Sequence, residues 1–183
     1  MSLSDIEAVR RHADLLFDRD AVDAAYDRMA AAITETLAGR NPVMLCVMSG
    51  GLVPAGELFT RLDFPVELDY VHATRYQGTQ GGAELNWIAR PAHSLKGRSV
   101  LVVDDILDEG VTLAAILDFC REQGAGAVYS AVLVEKQHDR KSPGLKADFI
   151  GLGIEDRYVF GCGMDYHGYW RNLPAIYAVA ESR

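Results

Sequence analysis

A run of four apolar residues that ends in acidic residues is the most informative pattern along the chain. Val100–Val103 form a short continuous apolar segment, which is typical of a strand covered on both faces. Two acidic pairs follow, Asp104–Asp105 and Asp108–Glu109, and a helical apolar pattern opens at Thr112. The pattern predicts a strand, then an acidic turn, then the start of a helix.

Other segments of apolar or β-branched residues predict further strands, and helical periodicity separates several of them. Further strands are predicted at residues 43–48, 65–71, 85–89, 128–134, 148–152, 158–161 and 176–180. A first helix is predicted from Ser4 through Phe17, because Ser4 and Glu7 have the spacing of a capping box. Other helices are predicted from about Asp20 to Gly39, at residues 54–62 and onward from Thr112.

Three loops of this arrangement are candidates for binding a ligand. At the carboxyl end of a parallel strand, the acidic turn would lie where open α/β sheets bind ligands, and the following helix start suits a phosphate. Carboxylates beside a phosphate imply a bridging cation, because they would otherwise repel it. Ser49–Gly51 form either a second ligand loop or an ordinary strand-to-helix turn. The polar, glycine-rich interval 74–84 is either a lid or a plain flexible hairpin tip.

Composition narrows the class of protein. The 183 residues are 49% hydrophobic, which fits one globular domain with a substantial core. The formal net charge of −8 argues against an extended nucleic-acid surface, because binding the phosphate backbone draws on clustered lysine and arginine. The three widely spaced cysteines indicate neither a disulfide framework nor a zinc site. Neither a signal peptide nor a membrane-spanning segment is predicted, so a cytoplasmic location is expected.

Three kinds of chemistry compete for the acidic cluster. In the first, Asp104–Asp105 bind the metal and the hydroxyls of a phosphorylated ligand, Asp108 is a general base, and Gly110–Thr112 bind a phosphate. In the second, the paired aspartates form the Mg²⁺ pocket of a phosphoacceptor receiver domain, but such a pair normally follows the first strand. The third is a dinucleotide-binding enzyme, and no G-x-G-x-x-G motif follows a strand. The first interpretation fits best.

The segment Val102–Thr112 resembles the phosphoribosyl-pyrophosphate (PRPP) motif of type I phosphoribosyltransferases. Val134–Lys136, Tyr158–Gly161 and the residues from Asp165 to Arg171 occur in the order and spacing of hypoxanthine-guanine phosphoribosyltransferases. The resemblance implies the type I phosphoribosyltransferase fold, with a mainly parallel central sheet flanked by helices, a small C-terminal hood and a flexible lid loop. It implies one domain over residues 1–183, with a core of about 40–150 and a hood formed by about 151–183 together with N-terminal residues.

The resemblance also implies a role for each matching position. Lys136 reads the purine 6-oxo group, Tyr158 stacks on the purine ring, and Asp108 exchanges a proton at the purine N7. Glu109 stands where many relatives have threonine, so its carboxylate is expected to point away from the phosphate. By role, the implied residues are Asp108 for catalysis; Asp104, Asp105, Asp108, Glu109, Gly110, Val111 and Thr112 for PRPP and its 5′-phosphate; Ser49, Gly50 and Arg171 for pyrophosphate; Lys136, Tyr158, Val159 and Asp165 for the purine; Arg75 and Tyr76 for the lid; and Asp104, Asp105 and Asp165 for Mg²⁺.

The function implied is purine salvage. The 5-phosphoribosyl group of PRPP passes to hypoxanthine or guanine, which gives IMP or GMP and pyrophosphate. Neither nucleic acid nor a membrane is an expected partner, and a homodimer or homotetramer is usual in families of this kind. The alternative is a regulatory protein on the same fold that senses PRPP or nucleotides without turnover.

Overall fold

The computed structural model describes residues 1–75 and 85–180 of the chain. Its helices are α1 Leu3–His12, α2 Arg19–Leu37, α3 Leu52–Phe59 and α4 Val111–Glu122. Its strands are β1 Asp14–Phe17, β2 Val43–Val47, β3 Glu67–Arg75, β4 Leu85–Ala89, β5 Ser99–Leu107, β6 Ala127–Gln137, β7 Phe149–Glu155, β8 Val159–Phe160 and β9 Ile176–Ala178.

Six of these strands form the central sheet, in the order β4-β3-β2-β5-β6-β7. Strands β3, β2, β5, β6 and β7 run parallel, and β4 is antiparallel to β3 at one edge. Because β2, β5 and β6 are neighbours, the segments that follow their carboxyl ends meet at one edge of the sheet. The predicted α/β fold with a mainly parallel sheet is confirmed.

The apolar run of β5 packs against helices on both faces of the sheet. Val100 and Val102 belong to the cluster that contains the apolar side of α4, whereas Leu101 and Val103 belong to the cluster that contains α2 and α3. Successive strand residues point to opposite faces, so a strand covered on both sides needs an uninterrupted apolar run. The stripe predicted for α2 is likewise buried, and it consists of Val22, Tyr26, Met29, Ile33 and Leu37.

A separate three-stranded sheet, ordered β1-β9-β8, brings the two ends of the described chain together. Asp14 pairs with Ala178 in antiparallel register, so a strand near the N-terminus lies beside the last strand. The indole Nε1–H of Trp170 donates to the carbonyl oxygen of Ile6 at 3.0 Å, which ties α1 to the same region. Val159, Ile176 and Ala178 of this small sheet belong to the same buried cluster as Leu133 and Val134 of β6.

Two predictions about element boundaries are wrong. The first helix ends at His12, and 14–17, predicted to continue it, form β1 instead. Its capping box uses Ser2 and Asp5 in place of Ser4 and Glu7. The strand predicted to end before the acidic pair continues as β5 to Leu107, because it keeps pairing with β6 as far as Glu135. The errors at 14–17 and at the end of β5 arise from strand pairing between distant segments, which local periodicity does not reveal.

Among residues 1–75 and 85–180, no helix combines the length and the apolar content needed to cross a membrane. The predicted lid at 74–84 falls mainly outside the described residues. Thr74 and the Arg75 backbone complete β3, and Tyr76 lies beyond the described part. The lid therefore stays a prediction.

Candidate active site

The carboxyl ends of β2, β5 and β6 bring the predicted ligand loops together. Ser49 and Gly50 follow β2, the acidic residues end β5, and Lys136 lies near the end of β6. Two neighbouring cavities open here, with volumes of about 230 Å³ and 340 Å³. Asp105, Asp108 and Asp165 border both of them, so the two cavities form one continuous candidate site.

The smaller cavity combines an aromatic and apolar lining with a few charged groups. Such a mixture suits a flat heteroaromatic ring whose edge carries hydrogen-bonding atoms. Tyr158 is 52% exposed and meets Tyr166 edge to face, so one surface of its ring remains available to a ligand. The lining residues are Asp105, Ile106, Asp108, Lys136, Tyr158, Val159, Met164 and Asp165.

The larger cavity is lined by glycine backbone, acidic side chains, Arg171 and several apolar residues, so a divalent cation could join its carboxylates to a phosphorylated ligand. Gly110 precedes α4 with a φ of 77°, and a Cβ there would lie 2.2 Å from the Leu145 side chain, so glycine is needed at this turn. The first N–H groups of α4 have no partner within the helix and can bind an anion. The lining residues are Val47, Met48, Ser49, Gly50, Ala73, Asp104, Asp105, Ile106, Asp108, Gly110, Thr112, Leu113, Asp165 and Arg171.

Asp108 receives a hydrogen bond on each carboxylate oxygen. The Lys136 ammonium donates to Oδ2 at 2.8 Å, and Nε2 of His138 lies 2.7 Å from Oδ1. Burial opposes ionisation of Asp108, but these two hydrogen bonds and the positive charge of Lys136 outweigh it and lower the pKa of the carboxyl below its usual value. Asp108 is therefore an ionised carboxylate at neutral pH, as a proton acceptor must be.

A second carboxylate links Lys136 to the loop after β6. Asp156 lies 3.6 Å from the Lys136 ammonium and 2.7 Å from the Arg140 guanidinium. Within the described part of the chain, Asp108, His138 and Asp156 offer ligand atoms within 4.8 Å of one another, which is close enough to hold a metal ion. The two cationic side chains already neutralise this group, and they would repel a further cation.

The adjacent pair Asp104 and Asp105 is better suited to a divalent cation. Burial and the neighbouring Asp105 charge raise the pKa of Asp104 well above its usual value, and burial also raises the pKa of Asp105. Arg171 contributes positive charge at 3.6 Å from Asp105 and forms an ion pair with Asp165. Oxygen ligands crowded in this way are those that Mg²⁺ prefers, so the residues present fit the ion.

Two glycines allow the backbone to approach Asp105 closely. A Cβ on Gly50 would lie 2.1 Å from Oδ2 of Asp105, and a Cβ on Gly163 would lie 2.2 Å from the carbonyl oxygen of Gly50. Contacts this short cannot exist, so any larger residue must displace Asp105 or the loop after β2. Arg171 holds the opposite wall in place by donating to the carbonyl oxygen of Gly163.

Gly50→Ala should therefore damage the site without removing any of its charged groups. We expect kcat/KM for the phosphorylated substrate to fall by at least about 10-fold, because an ångström-scale displacement of a binding group costs that much or more. Gly56→Ala in α3 is the matched control, since its Cβ would meet nothing within 4 Å. Steady-state kinetics of both variants check the expectation, and equal activity of the two would contradict it.

The structure brings together most of the residues that the sequence predicted for the site. The exceptions are few. Glu109 and Val111 border neither cavity, and Val111 instead lines a separate surface cavity of about 680 Å³. The backbone carbonyl of Glu109 accepts a hydrogen bond from Ser142, which fixes the acidic turn to the loop after β6.

Sequence reasoning missed several residues of the site, among them four in or beside the smaller cavity. His138 and Asp156 belong to the network around Lys136, and Ile106 and Met164 supply apolar lining to the smaller cavity. The only local signal for His138 was its position two residues after Lys136. The contribution of Asp156 depends on the pairing of β6 with β7 and left no local signal.

Comparison with known proteins is consistent with this geometry. The family model described as the phosphoribosyl transferase domain matches residues 12–167. The hypoxanthine-guanine-xanthine phosphoribosyltransferase of Tritrichomonas foetus is 33% identical over 168 residues, which cover 92% of each protein. The hypoxanthine-guanine phosphoribosyltransferase of Streptococcus pneumoniae is 32% identical and aligns over 91% of this chain and 93% of its own length.

Solved structures of phosphoribosyltransferases superpose on this chain over most of its length. A hypoxanthine-guanine-xanthine phosphoribosyltransferase structure superposes with a TM-score of 0.83 at 30% identity, covering 92% of this chain and 97% of that one. A hypoxanthine-guanine phosphoribosyltransferase of Bacillus anthracis superposes with a TM-score of 0.86 at 27% identity, covering 91% and 98%.

Proposed function

This chain belongs to the phosphoribosyl transferase domain family, and from that premise we propose that it is a 6-oxopurine phosphoribosyltransferase of purine salvage. It transfers the 5-phosphoribosyl group of PRPP to hypoxanthine or guanine and releases IMP or GMP with pyrophosphate. The observation that carries the proposal is the placement of Lys136 and Asp108 at 2.8 Å from each other on the wall of an aromatic cavity, directly beside the phosphate-type cavity.

The smaller cavity binds the purine. Tyr158 stacks on the ring, the Val159 backbone binds the base edge, and Lys136 donates to the 6-oxo group. The Lys136 side chain is only 12% exposed and its ammonium can only donate, so an amino group in place of the oxygen would set donor against donor in a nearly buried position. The same site therefore disfavours adenine.

The larger cavity binds PRPP. Gly110 and Thr112 line this cavity at the start of α4 and hold the 5′-phosphate, and Ser49, Gly50 and Arg171 bind pyrophosphate. Asp104 and Asp105 orient the ribose hydroxyls and, together with Asp165, would hold Mg²⁺. When bound, the ion would neutralise negative charge on the departing pyrophosphate.

In the reaction, the purine N9 forms a bond to C1′ of the ribose while the bond from C1′ to pyrophosphate breaks. Pyrophosphate leaves with the bonding electrons, and the ribose has oxocarbenium character in the transition state. Asp108 takes up the proton from N7 as the ring loses electron density. Arg171 stabilises the developing charge on the leaving group. Two adjacent cavities hold both reactants, so the reacting atoms are brought together before chemistry begins.

The proposal extends to the location, the oligomeric state and the hood of the enzyme. The enzyme works in the cytoplasm as a homodimer or homotetramer, and the small sheet formed by β1, β9 and β8, with the loop from Asp165 to Arg171, is the hood over the purine.

A turnover screen tests the proposal. Purified protein is assayed spectrophotometrically with PRPP and Mg²⁺ and with hypoxanthine, guanine, xanthine or adenine. We expect turnover with hypoxanthine and guanine. Activity with adenine alone would contradict the role of Lys136, whereas PRPP binding without any turnover would favour a regulatory protein.

A further inference from the structure

His138 makes a contact with Asp108 that the proposed purine and PRPP contacts do not use. Its Nε2 lies 2.7 Å from Oδ1 of Asp108, while Lys136 occupies Oδ2. The His138 side chain is 6% exposed, compared with 41% for Asp108, so the ring is held inside the protein and the carboxylate faces the cavity.

The backbone determines which ring nitrogen of His138 carries a proton. The Arg140 N–H points at Nδ1 of His138 from 3.1 Å, so Nδ1 accepts that hydrogen bond. In the neutral ring the proton must then reside on Nε2, which faces Asp108. His138 is thus a fixed donor to Oδ1.

Lys136 and His138 are not equivalent partners. Under the proposed function, the Lys136 ammonium turns toward the purine 6-oxo group when a base binds, and this withdraws one hydrogen bond from Asp108. His138 contacts neither the purine nor PRPP in the proposed function. Its hydrogen bond stays on Oδ1 and holds the carboxylate plane while Oδ2 becomes available to the proton at N7.

We propose that His138 is a positioning residue for the reaction: its Nε2–H fixes Oδ1 of Asp108 so that Oδ2 faces the purine. The inference rests on the proposed function and assigns to this chain a group that acts only through Asp108. Asp156, which pairs with Arg140, lies within 4.8 Å of Asp108 and His138, but Asp108 receives its side-chain hydrogen bonds from Lys136 and His138. Removal of the His138 donor should therefore slow the chemical step and leave PRPP binding intact.

Two substitutions separate positioning from simple packing. His138→Ala removes the donor, and kcat for hypoxanthine should fall about 10-fold, the usual cost of losing one hydrogen bond to a charged group. KM for PRPP should change less than about twofold, because no PRPP contact is lost. His138→Gln places an amide N–H near the position of Nε2 and should recover most of kcat. His12→Ala, an exposed histidine of α1, is the control and should match the wild type.

A spectroscopic measurement supplies a readout that does not depend on turnover. Ring ¹⁵N chemical shifts of His138, assigned by their loss in His138→Gln, should show a proton on Nε2 and none on Nδ1. The Nδ1–H tautomer would overturn the proposal. Equal kcat in wild type and His138→Ala, or failure of His138→Gln to exceed His138→Ala, would overturn it too. If the wild-type protein shows no turnover, the proposed function itself is overturned. The tautomer measurement then still tests the contact between His138 Nε2 and Oδ1 of Asp108.

Discussion

Asp108→Asn should reduce kcat with hypoxanthine by roughly 10²- to 10⁴-fold, the range that a positioned acid or base contributes. Asparagine keeps the shape of the side chain, and its oxygen can still accept from Lys136, but it cannot take up a proton. The loss should therefore appear in kcat, with KM for PRPP nearly unchanged. Steady-state kinetics with both substrates varied measure the two quantities separately.

Asp118→Asn is the matched control for this substitution. Asp118 lies on the surface of α4, pairs with Arg121 and borders neither cavity of the site. It should retain wild-type kinetics. If Asp108→Asn also kept kcat within about threefold of wild type, Asp108 would not be the proton acceptor, because such a change lies far below the effect of a lost general base.

Lys136→Ala should raise KM for hypoxanthine by about 10- to 100-fold, as expected for loss of a charged hydrogen bond. KM for adenine should rise much less, because adenine does not accept a hydrogen bond from the Lys136 ammonium. The ratio of kcat/KM for hypoxanthine to that for adenine should therefore fall, and this ratio is the decisive measurement. KM for PRPP should hardly change, since Lys136 lines only the purine cavity.

Lys136→Ala should also change the pKa of Asp108, because the two side chains are hydrogen-bonded. Lys136 is a principal reason that the pKa of Asp108 is lowered, so its removal should move that pKa upward. The ordinary pKa of an aspartate is about 3.9, and Asp108 should therefore stay ionised and kcat should fall little at neutral pH. Lys141→Ala removes a lysine that pairs with Glu135 at 2.9 Å outside both cavities, and it should behave as wild type. An unchanged KM for hypoxanthine in Lys136→Ala would exclude its role in reading the base.

Much of the fold followed from the sequence because the relevant signals are local. The uninterrupted apolar run Val100–Val103 specifies a strand buried on both faces, and the α2 stripe from Val22 to Leu37 specifies one buried helix face. Composition, charge and the order of motifs were likewise readable along the chain. The site residues that follow β2, β5 and β6 could be placed at one edge because parallel strands direct their carboxyl ends the same way.

Tertiary structure decided what depends on partners distant in the chain. Residues 14–17 look helical beside α1 and become a strand because Ala178 and its neighbours supply the hydrogen-bonding edge. Asp104 and Asp105 lie inside β5 because that strand remains paired with β6 beyond the apolar run.

The network around Asp108 has the same origin. Lys136 lies near the end of β6 and His138 directly follows that strand, and the neighbouring strand β5 carries Asp108 to them. The sequence by itself determined which residue types were present and which elements bear them. Only the packed sheet determined which charges meet, because hydrogen bonds and ion pairs act over a few ångströms and the chain brings distant residues that close only when it folds.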